Sequence, residues 1–346
     1  MNHDVYMQRC LQLAHLGLGY VRPNPLVGAV LVHNELIIGE GFHQKYGEAH
    51  AEVNCLQNVK EAHQSLITSS TLYVSLEPCA HYGKTPPCVD LILQHKIPRV
   101  VIGCSDPFSA VNRKSIQKLK TAGVEVTVGV LEKECTEINK YFFHYHNNHQ
   151  PYIILKWAQT SDKFIAHNDY KSISISNAIV NRLGHKWRSG IASILVGTNT
   201  AYYDNPLLTN RFWNKEIQPI RLVIDKELKV PQTHHLFNKD APIIIFNNIQ
   251  HKKKGNIQWY KIDNQNIPQQ ICNVLYQLGI QSILIEGGST LLQSFINAGL
   301  WNDAIVVTNR NLYLQSGVSA PLLIQHIYTH QDEYDNNIIE YYQGSL

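Results

Sequence analysis

The chain reads as an α/β protein built in two units, and three features lead there. It has 346 residues, more than one hydrophobic core usually organises. Short apolar runs alternate with amphipathic stretches along most of its length, the pattern of a sheet covered by helices. Between two such series lies a polar stretch ending in proline, HYHNNHQP at 144–151, where a linker is expected. The expected units are 1–146 and 147–346.

In the first series, DVYMQRCLQLAHLG at 4–17 has the periodicity of an amphipathic helix. GAVLVHNELIIGEGF at 28–42 reads as two strands around an Asn34-Glu35 turn. TLYVSL (71–76), RVVIGC (99–104) and VEVTVGV (124–130) are short strands of the buried type, with helical stretches between them. The second series has strands at YIILKWA (152–158), SILVG (193–197), IRLVID (220–225), PIIIF (242–246) and SILIEGG (282–288). Helices are expected at 176–188, 268–278 and 289–298. After residue 311 the chain is rich in Tyr, Gln and Asn, and its pattern is weak.

Composition excludes several classes of function. With 44% apolar and 16% charged residues this is a soluble globular composition, and no segment approaches the ~18 consecutive apolar residues of a membrane span. MNHDVYMQRC has no basic region followed by an apolar run, so no secretory signal is expected and a cytoplasmic location follows. A net charge of +3 with scattered Lys and Arg leaves no nucleic-acid footprint; the densest cluster, HKKKG at 251–255, reads as a solvated loop. Seven cysteines at irregular spacings argue against a disulfide framework. Cys10, Cys55, Cys104, Cys135 and Cys272 sit in apolar patterns, as small buried hydrophobes.

Cys79 and Cys88 are different. Cys79 follows a predicted strand, and Cys88 opens a predicted helix behind Pro86 and Pro87. A helix start favours a thiolate, which makes Cys88 the expected anion. Upstream, HAEVNCL at 50–56 puts His50 at another helix start, two residues before Glu52. One imidazole and two thiolates are three ligands for a tetrahedral Zn²⁺ with a fourth position open to water. Glu52 is then the proton shuttle, as the non-ligand Glu of zinc deaminases is. Positions i and i+2 do not share a helix face, so the first turn is expected to lie across the site. A closed structural zinc site is the alternative, with His81 as its one candidate fourth ligand.

The longer cysteine loop EPCAHYGKTPPC (77–88), with RPNPLVGAV (22–30) and GEGFHQKYGEAHAE (39–52), resembles the bifunctional deaminase-reductases of riboflavin biosynthesis. The resemblance implies a cytidine-deaminase-like three-layer α/β/α unit acting on a diaminopyrimidinone that carries a phosphoribosylamino group. It implies substrate contacts at Asn24, His43 and Asp106, and a phosphate seat at His81 and Lys84. In DPFS (106–109), Phe108 stands where the family often has Asn.

The second half is similar to the family's dihydrofolate-reductase-like unit, which uses NADPH to reduce the ribosyl chain to ribityl. The similarity runs through LKWAQTSDKFIA (155–166), WRSGIASILVGTNTAYYDNPLLTNR (187–211) and IEGGSTLL (285–292). Strand-Gly-Gly-Ser-Thr-helix suits an anion seat, with a plain helix-opening turn as the alternative. The resemblance puts Lys156 and Asp204 near the hydride transfer, and Ser172, Arg188, Leu208, Arg211 and Glu286 around the substrate. Ala158, Ser174, Thr200, Asp204, Gly288, Ser289 and Thr290 would line the cofactor. Two departures stand out: Lys163 where the family has Gly in S-L-D-G, and Ser174 where it has Trp.

The implied cofactors are zinc and NADPH, and the implied state is a homo-oligomer, a dimer or tetramer, with no nucleic-acid or membrane partner. Two other functions stay open at this point. One is a deaminase of nucleic acid with a C-terminal binding module. The other is an active zinc deaminase whose second half has lost reduction and serves as a scaffold.

Overall fold

A computed structural model describes residues 2–80, 82, 86–108, 113–169 and 173–345. It separates into two compact units, Met1–His149 and Gln150–Leu346. Among the described residues no helix is long and apolar enough to cross a membrane.

The first unit opens with α1 (His3–His15), capped by Asn2, whose side chain accepts the Asp4 N–H at 3.2 Å. Met7, Cys10, Leu11 and Ala14 form its buried stripe at the i, i+3, i+4, i+7 spacing. β1 (Gly28–His33) and β2 (Leu36–Phe42) form the expected hairpin. Asn34 and Glu35 both have positive φ, 45° and 68°, as a two-residue turn matched to strand twist requires. The chain continues through α2 (Ala51–Gln57), β3 (Thr71–Leu76), α3 (Cys88–Gln94), β4 (Arg99–Cys104), α4 (Lys114–Thr121), β5 (Glu125–Val128), α5 (Glu132–Ile138) and α6 (Lys140–Asn148).

The sheet order is β2-β1-β3-β4-β5, antiparallel around β1 and parallel from β3 onward. Strand alternation divides the core in two. Ala29, Leu31, Leu72, Val74, Val100 and Ile102 meet α2, α3 and α4, while Val30, Val32, Tyr73 and Val101 meet α1 and Cys135 of α5. This gives three layers, and it sets the starts of α2 and α3 beside the C-terminal end of β3.

Two expectations fail here. β5 is no buried strand: it is a sheet edge, and most of it is exposed. The stretch 144–151 is no open linker either, because α6 runs to Asn148. Its apolar anchor, Phe142, lies upstream and packs against the half-buried His146, while Asn147 and Asn148 are exposed; His149 in the left-handed region and Pro151 then end the helix.

The second unit contains β6 (Tyr152–Thr160), β7 (Phe164–Ala166), α7 (Ala178–Gly190), β8 (Ser193–Val196), β9 (Ile220–Ile224), β10 (Ile243–Asn247), β11 (Lys252–Lys254) and β12 (Ile257–Lys261). It ends with α8 (Ile267–Gln277), β13 (Ser282–Glu286), α9 (Ser289–Asn297), β14 (Asp303–Asn309), β15 (Val318–Ser319), β16 (His326–Tyr334) and β17 (Asn337–Gly344). The large sheet runs β11-β12-β10-β9-β8-β13-β6-β14-β17-β16, and every pair from β12 to β14 is parallel. Strands covered on both faces need no polar side, which is why they read as unbroken apolar runs.

One end of this sheet departs from the sequence reading, and the other is where the pattern is weak. HKKKG is an edge strand, β11, whose three exposed lysines blunt the edge against further pairing. The weakly patterned tail is the β16–β17 hairpin, and its outer strand is mostly exposed, so it carries no apolar alternation.

The turn from β6 to β7 answers the question raised by Lys163. That residue keeps φ at 67° although it has a Cβ, and its N–H closes the turn on the Thr160 carbonyl at 3.0 Å. Asp162 fixes the turn by accepting from the Thr160 hydroxyl and from the Leu314 and Gln315 N–H groups. A left-handed residue with a Cβ costs about 1–2 kcal/mol, less the roughly 0.5–1 kcal/mol of extra chain freedom glycine brings to the unfolded state. Lys163→Gly is therefore expected to stabilise the second unit by up to about 1 kcal/mol, read from its urea midpoint. A lowered midpoint would show that the lysine is unstrained.

Candidate functional site

His50 does not belong to α2 proper; it is the N-cap, with φ −75° and ψ 166°. That extended backbone turns the imidazole off the helix, while Glu52 in the first turn points inward and is buried. The expected conflict between positions i and i+2 is thereby removed. β3 delivers Cys79 just past its end, and α3 delivers Cys88 as its first residue behind Pro87. His50 Nδ1 lies 3.6 Å from Cys79 Sγ and 3.4 Å from Cys88 Sγ. A tetrahedral zinc with bonds of about 2.3 Å to sulfur and 2.0 Å to nitrogen has N···S edges of roughly 3.5 Å. The three side chains therefore fit zinc, and they are one cluster of ligand atoms all within 4.8 Å of one another.

The thiol held low is that of Cys79, whereas the helix start had pointed to Cys88. The Cys88 thiol, the His50 ring and the Cys88 N–H, the last at 3.3 Å, hold the Cys79 thiol down to about 4. Cys88 is pushed up instead, by that same bond to Cys79, by burial and by Glu52. The first N–H of α3 points at the Cys79 sulfur and helps to hold that thiol low. Burial and the Cys79 thiol beside it raise the Glu52 carboxyl above its ordinary range. Cys88→Ser is expected to lose metal, and full zinc occupancy in that variant by elemental analysis would remove Cys88 from the ligand set.

Around this cluster, His43 is buried, and its ring sits edge-on to His50 with centroids 5.4 Å apart. Its Nε2 meets the Asn24 amide at 3.1 Å and its Nδ1 meets the Ala49 carbonyl at 3.0 Å, so both ring nitrogens are engaged within the protein. Asp106 is buried and accepts the Phe108 N–H at 2.8 Å; burial, with Glu77 nearby, pushes its carboxyl up to about 7. Sequence reasoning missed Glu77. It accepts from the Asp106 N–H at 3.2 Å, the Arg113 N–H at 3.0 Å and the Ser115 hydroxyl, tying the end of β3 to the segment after β4. The Glu-Pro-Cys tripeptide was its one signal. His81, Lys84 and Ser172 lie outside the described residues.

The second unit holds a cavity of about 480 Å³. Lys156 and Ala158 on β6, Arg188 on α7 and Glu286 at the end of β13 contribute to its wall. So do Thr200 and Asp204 from the turn after β8, Leu208, and Ser174. Gly288, Ser289 and Thr290 complete it where α9 begins. The prediction missed Asn181, Asn199 and Tyr203, which also face the cavity, although Asn199 and Tyr203 lie inside the segment 187–211 that carries the similarity. Arg211 is not among the lining residues; it is exposed beside Arg188, whose charge joins partial burial in lowering its pKa.

Gly287 and Gly288 take φ of 90° and 76°, and a Cβ on Gly287 would come within 3.3 Å of the Thr200 side chain. A glycine pair is thus required to turn from β13 into α9 while keeping Thr200 against the turn. Parallel register sets Glu286 directly opposite Lys156. Arg188 closes on Glu286 with Nη2 to Oε2 at 2.5 Å and Nε to Oε1 at 3.3 Å, a two-pronged pair that is largely buried. Burial opposes ionisation of Glu286, yet Arg188 and Lys156 outweigh it and hold the carboxyl below its ordinary range. Burial lowers Lys156, with Glu286 pulling the other way. Asp204 keeps much of its surface open, and partial desolvation raises its carboxyl.

Comparison with known proteins places these features. Residues 1–104 match the family described as cytidine and deoxycytidylate deaminase zinc-binding region, and residues 151–309 match the RibD C-terminal domain. The riboflavin biosynthesis protein RibD of Aquifex aeolicus is 40% identical over 308 residues, 87% of this chain and 85% of that protein. The RibD of Bacillus amyloliquefaciens is 37% identical over 310 residues, 87% of this chain and 82% of its own length. A diaminohydroxyphosphoribosylaminopyrimidine deaminase/5-amino-6-(5-phosphoribosylamino)uracil reductase from Thermotoga maritima superposes with a TM-score of 0.90. It is 30% identical, with 99% of this chain and 98% of that chain covered.

Proposed function

This chain belongs to the RibD family of riboflavin biosynthesis proteins, and on that premise we propose that it performs both reactions with the residues described above. The first is hydrolytic deamination of 2,5-diamino-6-(5-phosphoribosylamino)pyrimidin-4-one. The second is NADPH-dependent reduction of the ribosyl chain to ribityl. The observation that carries the reading is the His50, Cys79 and Cys88 triangle of zinc dimensions with a buried carboxylate, Glu52, in the adjoining helix turn.

His50, Cys79 and Cys88 hold the zinc, which when bound supplies Lewis acidity to the hydrolysis. Glu52 takes a proton from the attacking water, delivers it to the pyrimidine ring nitrogen and then to the departing amine. Asn24, His43 and Asp106 orient the ring, and His81 and Lys84 meet the phosphate.

In the second unit Ala158, Ser174, Thr200 and the turn at Gly288, Ser289 and Thr290 would hold NADPH, which when bound would supply the hydride; the N–H groups at the start of α9 suit its phosphates. Lys156 and Asp204 handle the proton that must accompany the hydride. Glu286 meets the ribose chain, Ser172 and Leu208 flank it, and Arg188 and Arg211 hold the substrate's phosphate. The enzyme works in the cytoplasm as a homo-oligomer, without nucleic acid or membrane.

Zinc-loaded enzyme given the phosphorylated diaminopyrimidinone should release ammonia, and NADPH absorbance should fall only once deaminated product has formed. Ammonia release with no NADPH loss, even on pre-deaminated substrate, would leave the second unit a scaffold.

A further inference from the structure

The segment after Leu208, itself at φ 50°, belongs to no strand, so its backbone groups need partners from elsewhere. Side chains supply them at three consecutive residues. Arg188 Nη1 donates to the Thr209 carbonyl at 3.3 Å. Gln218 accepts the Asn210 N–H at 2.8 Å and donates to the Asn210 carbonyl at 2.9 Å. His185 Nδ1 accepts the Arg211 N–H at 3.2 Å. His185 and Arg188 stand one turn apart on α7, so one helix face reaches both ends of the segment.

His185 does more than fill a gap. Its ring is 4% exposed and meets Phe212 edge-on at 4.8 Å, and the Phe212 face carries the Arg211 guanidinium at 4.9 Å. The imidazole therefore fixes the Arg211 backbone through one atom and its side chain through an intervening aromatic ring. A protonated ring has no free Nδ1 acceptor; burial, with Arg188 and Arg211 alongside, keeps it neutral down to about 4.

We propose that His185 is a positioning residue of the reductase unit, setting the Arg211 guanidinium to receive the phosphate of the substrate. This rests on the reading that Arg211 binds that phosphate, and the test separates the two. The reduction is measured on the phosphorylated substrate and on its dephosphorylated counterpart, in wild type, His185→Phe, His185→Asn and Arg211→Ala. Phe keeps the edge contact and removes the acceptor; Asn keeps an acceptor near the place of Nδ1.

His185→Phe should raise KM for the phosphorylated substrate about tenfold, the worth of one lost hydrogen bond, with kcat and the KM for NADPH within about twofold of wild type. The dephosphorylated substrate should not notice, and His185→Asn should recover most of the loss. On the Arg211→Ala background His185→Phe should add nothing further. Should Phe not be accommodated, His185→Leu, equally without an acceptor, is read in the same way.

A His185→Phe enzyme with wild-type KM, or one equally impaired toward both substrates, overturns the proposal, as does an Asn variant no better than Phe. If Arg211→Ala leaves the preference for the phosphorylated substrate intact, the assignment of Arg211 falls and the proposal falls with it.

Discussion

Replacing Glu52 by Gln is expected to leave zinc bound and to slow deamination by at least about 10²-fold, the usual worth of a positioned proton shuttle. Gln has the shape of Glu, so the packing around a side chain only 3% exposed is kept. What it loses is the ability to accept a proton from water and release it to the ring. Burial is the main reason its carboxyl is raised above the ordinary range. Ammonia release and zinc content, measured on one preparation, decide the matter. Reduction of pre-deaminated substrate should continue unchanged, because Glu52 lies in the first unit and the cavity in the second. Undiminished deamination by Glu52→Gln would end its assignment as the shuttle.

Lys156→Met should produce the converse enzyme, with deamination intact and NADPH-dependent reduction lowered by about 10²-fold or more. Methionine fills a similar volume without the ammonium. Glu286 is not left uncompensated, since its two-pronged pair with Arg188 persists, so the fold should hold. The effect should fall on kcat more than on the KM for NADPH, as expected when a group acts on the reacting atoms. Wild-type kcat in Lys156→Met would pass the proton-handling role to Asp204 alone.

Much of this was legible in the sequence where the determinant is local. Parallel strands buried on both faces announced themselves as apolar runs, and the His50, Cys79 and Cys88 cluster that we propose holds zinc sits at a helix cap, just past a strand end and at a helix start, places that short motifs mark. Features set by the neighbourhood were hidden. β5 and β11 are edges, and strand propensity does not report which strand lies outermost. Which thiol is held low depends in part on where one N–H points, and Cys88 aims its own at Cys79. Glu77 and His185 owe their importance to partners 29 to 38 and 26 residues away. In a chain with 18 histidines, nothing nearby distinguishes His185.

The tethering of Thr209, Asn210 and Arg211 by Arg188, Gln218 and His185 has a thermodynamic consequence. Irregular segments at binding sites commonly freeze when the ligand arrives, and the lost disorder weakens association. Here the freezing takes place during folding. If Arg211 takes the substrate phosphate as proposed, that capture would meet a stretch already tied down, with little chain entropy left to lose.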